Sequence, residues 1–185
     1  MKNSRLRIII GGMVAQFPVG GVAWDYLQYA IGLADLGHDV YYHEDTWCWP
    51  YDPVRNTASP DGAYSARFLD RFMRRYAPEL AERWHYDHLR EQSFGMSRRK
   101  FAEVAQTADL FLNVSGACLI PTDLSADCVK VFLDTDPGYN QIMLIERFPW
   151  SENVDRWCDD VSRHDLHFTY AERIGADDCR VPAAG

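Results

Sequence analysis

The run Leu6-Arg7-Ile8-Ile9-Ile10-Gly11-Gly12, and the segment from Val22 to His43 beyond it, decide the fold. Leu6 to Ile10 is short, apolar and β-branched, and Gly11–Gly12 ends it, so it reads as a buried first strand. After a loop through Pro18–Gly21 the period lengthens. Leu27, Ala30, Ile31, Ala34 and Leu36 recur at helical spacing from Val22 onward. Gly37 stands just past them, where the chain leaves a helix in a left-handed conformation. His38 to His43 carries Val40, Tyr41 and Tyr42 and reads as a second strand, which completes the opening of a βαβ unit.

Outward from that unit the alternation continues. A polar and aromatic loop from Glu44 to about Gly62 is long enough to predict a functional lip. Helical patterns follow at Tyr64–Tyr76, Pro78–Arg90 and Ser97–Ala108, the last with Ser97 as its N-cap. Leu110–Val114 is a strand ended by the turn Ser115–Gly116, and Val129–Leu133 is the next, ending at Asp134. A helix is expected near Asp136 with Pro137 at its first position. Another is expected over Glu152–Ser162, then a strand over Leu166–Tyr170 and a short extended piece at Arg180–Pro182. This order predicts one α/β domain over residues 1–185: a Rossmann-like three-layer fold with a mostly parallel sheet. Its ligands belong at the C-terminal rim of the strands, near the switch in strand order.

Composition narrows the function. Of 185 residues, 47% are hydrophobic, enough for a sizeable core. With 19 Lys and Arg against 27 Asp and Glu the net charge is −8, which argues against nucleic acid and anionic membranes as partners. The basic runs Arg71–Arg75 and Arg98–Lys100 read as solvated helix faces. Five cysteines without C-x-x-C spacing read as free thiols in a reducing compartment. No apolar stretch approaches the ~20 residues of a membrane span. The expectation is a soluble, cytoplasmic protein. His85-x-x-His88 and His164-x-x-His167 lack the H-E-x-x-H pattern and a third ligand, and are expected to face solvent.

Gly20-Gly21-Val22-Ala23-Trp24-Asp25, followed by Leu33-Ala34-Asp35-Leu36-Gly37-His38-Asp39-Val40, resembles the first domain of GT-B glycosyltransferases. Tyr41 to Asp45, Trp49 to Pro53 and Val131 to Pro137 look like an uncharacterised branch of the same enzymes. The resemblance implies a Gly-Gly loop closing over the diphosphate of a nucleotide-sugar donor, and a small-molecule or glycan acceptor held by this domain. It also implies a C-terminal donor-binding domain outside this sequence, so this chain alone is expected to be inactive. No cofactor and no metal are expected. A non-catalytic ligand- or partner-binding α/β domain and a nicotinamide-dependent oxidoreductase are the alternatives. G-x-G-x-x-G, the dinucleotide fingerprint, does not occur.

The residues themselves support several roles. Gly20, Gly21 and Val22 would form the diphosphate loop, because glycine lets a backbone approach a phosphate and a following helix offers unpaired N–H groups. A turn requiring positive φ is the other reading of the pair. His43, Glu44 and Asp134, at strand ends, are the candidate bases toward an acceptor hydroxyl. Glu44 equally suits capping of its loop, and Asp134-Thr135-Asp136 spells the D-x-D of metal-binding transferases, although Asp136 before Pro137 reads as an N-cap. Trp24, Asp25, Trp47, Trp49, Tyr51, Ser115 and Gly116 are the candidate acceptor-binding residues, the aromatics by stacking on a sugar or by packing on their own domain.

Overall fold

In the computed structural model, which describes residues 5–147 and 152–184, strands and helices alternate as β1 (Arg7–Gly11), α1 (Gly20–Asp35), β2 (Asp39–Glu44), the small hairpin β3 (Tyr51–Asp52) and β4 (Thr57–Ala58), and α2 (Ala63–Tyr76). A 3-10 turn (Pro78–Leu80), β5 (Trp84–His88), β6 (Gln92–Gly95), α3 (Arg98–Ala105) and β7 (Leu110–Val114) follow. β8 (Val129–Asp134), α4 (Pro137–Glu146), α5 (Glu152–Val161) and β9 (Leu166–Thr169) complete the described elements. The central sheet runs β6-β5-β2-β1-β7-β8-β9, parallel throughout except for β6 against β5. From β1 the chain builds outward through β2 and β5 on one side and through β7, β8 and β9 on the other. This is the Rossmann order, with its switch point between β1 and β7.

Helices cover both faces. Because strand side chains alternate, Ile8 and Ile10 meet α1 through Ala23, Leu27 and Ala30, and Leu69, Phe72 and Met73 of α2 join the same cluster. Ile9 and Phe111 face the other way, onto Phe101, Val104 and Ala105 of α3. Helix α1 ends as the sequence predicts. Gly37 has φ +91°, its N–H donates to the Ala34 carbonyl at 2.9 Å, and the His38 N–H donates to the Leu33 carbonyl at 3.2 Å. That pair of bonds is the Schellman closure of a helix. Ser97 caps α3 by accepting from the Lys100 N–H at 3.3 Å.

The expected helix over Pro78–Arg90 is instead a 3-10 turn and the β5–β6 hairpin. Trp84, Tyr86 and His88 alternate with His85 and Asp87, and β5 becomes the third parallel strand beside β2. Two residues, Leu89 (φ +53°) and Arg90 (φ +60°), turn the hairpin, with Glu91 N–H donating to the His88 carbonyl at 3.0 Å. Neither is Gly or Asn, so this left-handed turn stores strain of ~1–3 kcal/mol per residue. Arg180–Pro182 is irregular rather than extended into a strand. All five cysteines are free thiols.

Candidate functional site

The switch point is built from two glycine pairs with opposite surroundings. A Cβ on Gly11 would lie 2.9 Å from the Cys118 Cβ, and one on Gly12 would lie 2.7 Å from the Tyr42 hydroxyl oxygen. Packing therefore demands these glycines. Gly20 and Gly21 have no atom within 4 Å of an added Cβ, and their φ is not positive. They form the first turn of α1 rather than a loop before it, so a turn requirement does not explain them either. Val19 precedes them as N-cap without a side-chain cap bond, and the first turn holds no acidic residue.

Between strand and helix, Glu44 fixes the connecting loop. Its carboxylate accepts from Ala15 N–H at 2.7 Å, Gln16 N–H at 2.5 Å and the Tyr42 hydroxyl at 3.0 Å, while Val14 N–H donates to that hydroxyl at 3.1 Å. Burial pushes the Glu44 carboxyl up to about 8, against the pull of those donors. Gln16 extends the clamp, donating to the Trp49 carbonyl at 2.8 Å and accepting from Thr46 at 2.7 Å. The loop that Glu44 holds is the one between β1 and α1, and not the loop that follows it in the chain, which is the one the sequence offered it for.

Beside the start of α1 lies a cleft of about 280 Å³ lined by Asp25, Tyr26, Gln28, Val114, Ser115, Thr135 and Tyr170. Ser115 adopts φ +59°, and its hydroxyl meets those of Thr135 and Tyr26. Burial raises the Tyr26 phenol to about 12, so it stays protonated and able to donate. Asp134 ends β8 below this cleft but is occupied. It accepts from Asn140 Nδ2 at 2.8 Å, Gln141 Nε2 at 2.9 Å and Asp136 N–H at 3.2 Å. Asp136 holds the N-cap position of α4 without a side-chain cap bond.

A second cavity, about 250 Å³, opens on the opposite face of the sheet. His43 and His85 are partners across β2 and β5, with Nδ1 atoms 3.1 Å apart and rings stacked at 5.1 Å. Phe101 of α3 stacks on both, at 4.1 and 4.7 Å. Burial holds His43 well below the usual imidazole range and lowers His85 to about 4, so both rings are neutral. Farther up the same wall, Asp87 receives two bonds from Arg98, at 3.0 and 2.8 Å. Asp45 Oδ2 lies 3.6 Å from Arg90 Nε. Burial and the nearby Asp87 raise Asp45 to about 6, against the pull of Arg90. Two buried atoms at this wall have no hydrogen-bond partner: His85 Nε2 and Asp45 Oδ1. Ile120, Pro121, Thr122 and Asp123 close the other side.

The expected acceptor residues are thus divided. Asp25 and Ser115 meet in the switch-point cleft. Trp24 turns away from it and packs on Phe72 and Tyr76 of α2, at 5.1 and 5.3 Å. Val22 packs partly into the core. Trp47, with φ +59°, lies under the Arg90 and Arg156 guanidiniums at 4.3 and 4.8 Å. Trp49 is exposed, and Tyr51 donates to Asn56 Oδ1 at 2.6 Å within the β3–β4 hairpin. Gly116 abuts Trp157, where a Cβ would lie 2.8 Å from its ring nitrogen.

His85, His88 and His164 are buried, contrary to the solvent-facing expectation, because residues 84–88 are a strand inside the sheet and His164 closes under β7. His88 donates from Nε2 to the Pro60 carbonyl at 2.8 Å and accepts from Tyr86 at 2.9 Å; His164 donates to the Val161 carbonyl at 3.0 Å and accepts from Asn113 at 3.2 Å. The signal for His85 was the alternation Trp84, Tyr86, His88 against His85, Asp87. A wider depression, about 800 Å³, is an open groove between α2 and β6 that includes none of these rim residues. Among the described residues no helix is long and apolar enough to cross a membrane. Comparison with protein-family models, curated proteins and solved structures gave no match.

Proposed function

We propose that this domain binds the diphosphate of a nucleotide-activated sugar at the start of α1 and contributes the acceptor side of a glycosyl transfer. One observation carries the reading. At the switch point of a Rossmann sheet, helix α1 begins with two glycines that nothing approaches, no side-chain cap and no acidic residue in its first turn. Such a terminus concentrates unpaired N–H groups and about half a positive charge, suited to the charge that builds on a departing diphosphate.

The adjoining cleft supplies the polar groups for a sugar: the Ser115 and Thr135 hydroxyls, the Tyr26 phenol and the Asp25 carboxylate. Of the three candidate bases, Glu44 and Asp134 already serve the protein's own donors, and His43 lies on the opposite face. Asp25 therefore takes the role of receiving the acceptor hydroxyl in this reading.

Calorimetric titration of the full-length protein tests it, with uridine diphosphate and its glucose ester against uridine monophosphate and glucose alone. Diphosphate-dependent binding, weakened about tenfold by Gly21→Val, a loss of ~1.4 kcal/mol, is expected. Absence of diphosphate binding, or binding that Gly21→Val leaves untouched, overturns the reading. Saturable quenching of NADH fluorescence would replace it with the oxidoreductase alternative.

A further inference from the structure

We propose that the groove between α2 and β6 docks an acidic, extended segment of a partner protein, which adds as a further strand to the open edge of the sheet. The inference rests on this groove alone and does not require the diphosphate site.

The backbone supplies the first argument. β6 ends the sheet on its side, so no strand of the described residues lies along its outer edge. Just past β6, Met96 N–H donates to the Trp84 carbonyl at 2.8 Å. Antiparallel ladders alternate, so Phe94 faces β5 as Met96 does, and Ser93, opposite Asp87, turns its N–H and C=O outward. Gln92, Ser93 and Gly95 are exposed. An edge of this kind is a template for a strand from another chain, whose main-chain hydrogen bonds supply affinity.

Side chains supply the second. The groove along that edge holds about 800 Å³ over an apolar floor of Ala66, Trp84 and Phe94 from the α2 layer and Met96 from the α3 layer. Its rim is cationic. The two basic runs of the sequence meet here, Arg71 and Arg74 from α2 and Lys100 from α3, although these helices cover opposite faces of the sheet. Arg67 joins them one turn before Arg71. The carboxylates of the groove, Asp70 and Glu82, both belong to Arg74, at 3.0 and 2.9 Å. Among the described residues, Arg67, Arg71 and Lys100 therefore have no carboxylate partner. Four residues rise ~6 Å along a helix, close to the ~6.8 Å between alternate residues of a strand. Arg67 and Arg71 thus match carboxylates at alternate positions of an extended segment.

Charge selects the occupant. The chain carries a net charge of −8, yet at this edge the unanswered charges are positive, which favours an acidic partner. A second copy, paired edge to edge, would set the same cations against themselves. Single-stranded nucleic acid stacks its bases on open rings, whereas Trp84 is buried and Phe94 half-buried.

The test measures the fluorescence anisotropy of a fluorescein-labelled peptide of alternating glutamate and valine during titration with the intact protein. A lysine–valine peptide, oligothymidine and a backbone N-methylated form of the glutamate peptide run beside it. Expected is saturable binding of the glutamate peptide alone. It should weaken about tenfold when Arg67→Glu and Arg71→Glu are combined and about threefold in Lys100→Glu. Arg75→Glu, on α2 but outside the groove, should leave it unchanged. All four residues are exposed, so their replacement leaves the core intact. The proposal is overturned if the glutamate peptide does not saturate, or if the lysine peptide or oligothymidine binds more tightly. It is equally overturned if binding survives the double replacement, falls as far in Arg75→Glu, or persists after backbone methylation.

Discussion

Glu44 and His43 are neighbours on β2, yet the carboxylate enters the α1 face with three donors on it, while the imidazole enters the α3 face beside two polar atoms that have none. Both sites are buried, both hold titratable groups, and both stand at the rim where ligands of such sheets bind. The difference teaches what burial alone does not. On one face the polar groups answer one another and the result is a clamp on the β1–α1 loop. On the other, two atoms are left without a partner, and the result is a stacked pair of neutral rings beside two ion pairs.

Removing the clamp should produce the largest effect. Glu44→Ala strips the acceptor from the Ala15 and Gln16 amides and from Tyr42 together. At ~1–3 kcal/mol for each buried donor left bare, the loss should be about 4 kcal/mol in urea unfolding. Glu44→Gln should recover about half of it, since its amide keeps one acceptor oxygen but turns an N–H₂ group toward the donors that the second oxygen accepts. If Glu44→Ala loses less than about 1 kcal/mol, the loop is held by something else and the contrast between the faces collapses.

The histidine face should respond weakly at neutral pH and strongly in acid. Replacing both rings, His43→Phe with His85→Phe, exchanges one buried hydrogen bond and an orphan for apolar surface, and should stay within about 1 kcal/mol of wild type at pH 7. In the wild type, burial lowers His85 to about 4, against an ordinary 6.5, so the unfolded chain takes up its proton first. Stability from this group is therefore complete above 6.5 and lost as pH falls towards 4, by ~3 kcal/mol at ~1.4 kcal/mol per unit. Glu44 works in the opposite sense. With its folded value near 8 its contribution is complete below 4.5 and fades as pH rises through 8. The two trends offset each other in the wild type between pH 4.5 and 6.5. The double Phe variant, followed by urea midpoints across pH, should lose the His85 part of the acid limb and leave the slopes of Glu44, Asp45 and His164.

Why one face was legible in the sequence and the other was not has a physical answer. Leu6 to His43 folds as its periodicity dictates, because β1, α1 and β2 follow one another and each buries the pattern its neighbours need. The clamp ties that span to Glu44 just beyond it. The chamber draws on β2, β5, α3 and residues 120–123, which only the sheet order brings together. His43 can be singled out as a strand-end residue, but its partner sits in a stretch whose Leu80, Ala81, Trp84 and Leu89 spacing imitates a helix. The alternation of Trp84, Tyr86 and His88 against His85 and Asp87 is present, but both of its faces carry polar or aromatic residues and neither stands out as the apolar one. Nothing in local sequence says that one side of β5 faces Phe101 while the other packs under α2.

The two glycine pairs repeat the contrast on a smaller scale. Gly12→Ala should cost ~1–3 kcal/mol, because its Cβ would press 2.7 Å from the Tyr42 oxygen, which belongs to the clamp, and 2.8 Å from the Tyr26 ring, both buried. Gly21→Ala should act in the other direction and stabilise by ~0.5–1 kcal/mol, since a helical position with open space around it gains from any reduction in unfolded-chain freedom. A glycine kept where the fold would be steadier without it points to a demand from outside the fold. The decisive measurement pairs the melting temperature of Gly21→Ala with its affinity for uridine diphosphate. A rise in the first with a fall in the second separates a ligand's need for bare backbone from mere tolerance of glycine. A rise in both removes the functional argument for the pair and leaves Gly11–Gly12 as the only glycines at the switch point with a job to do.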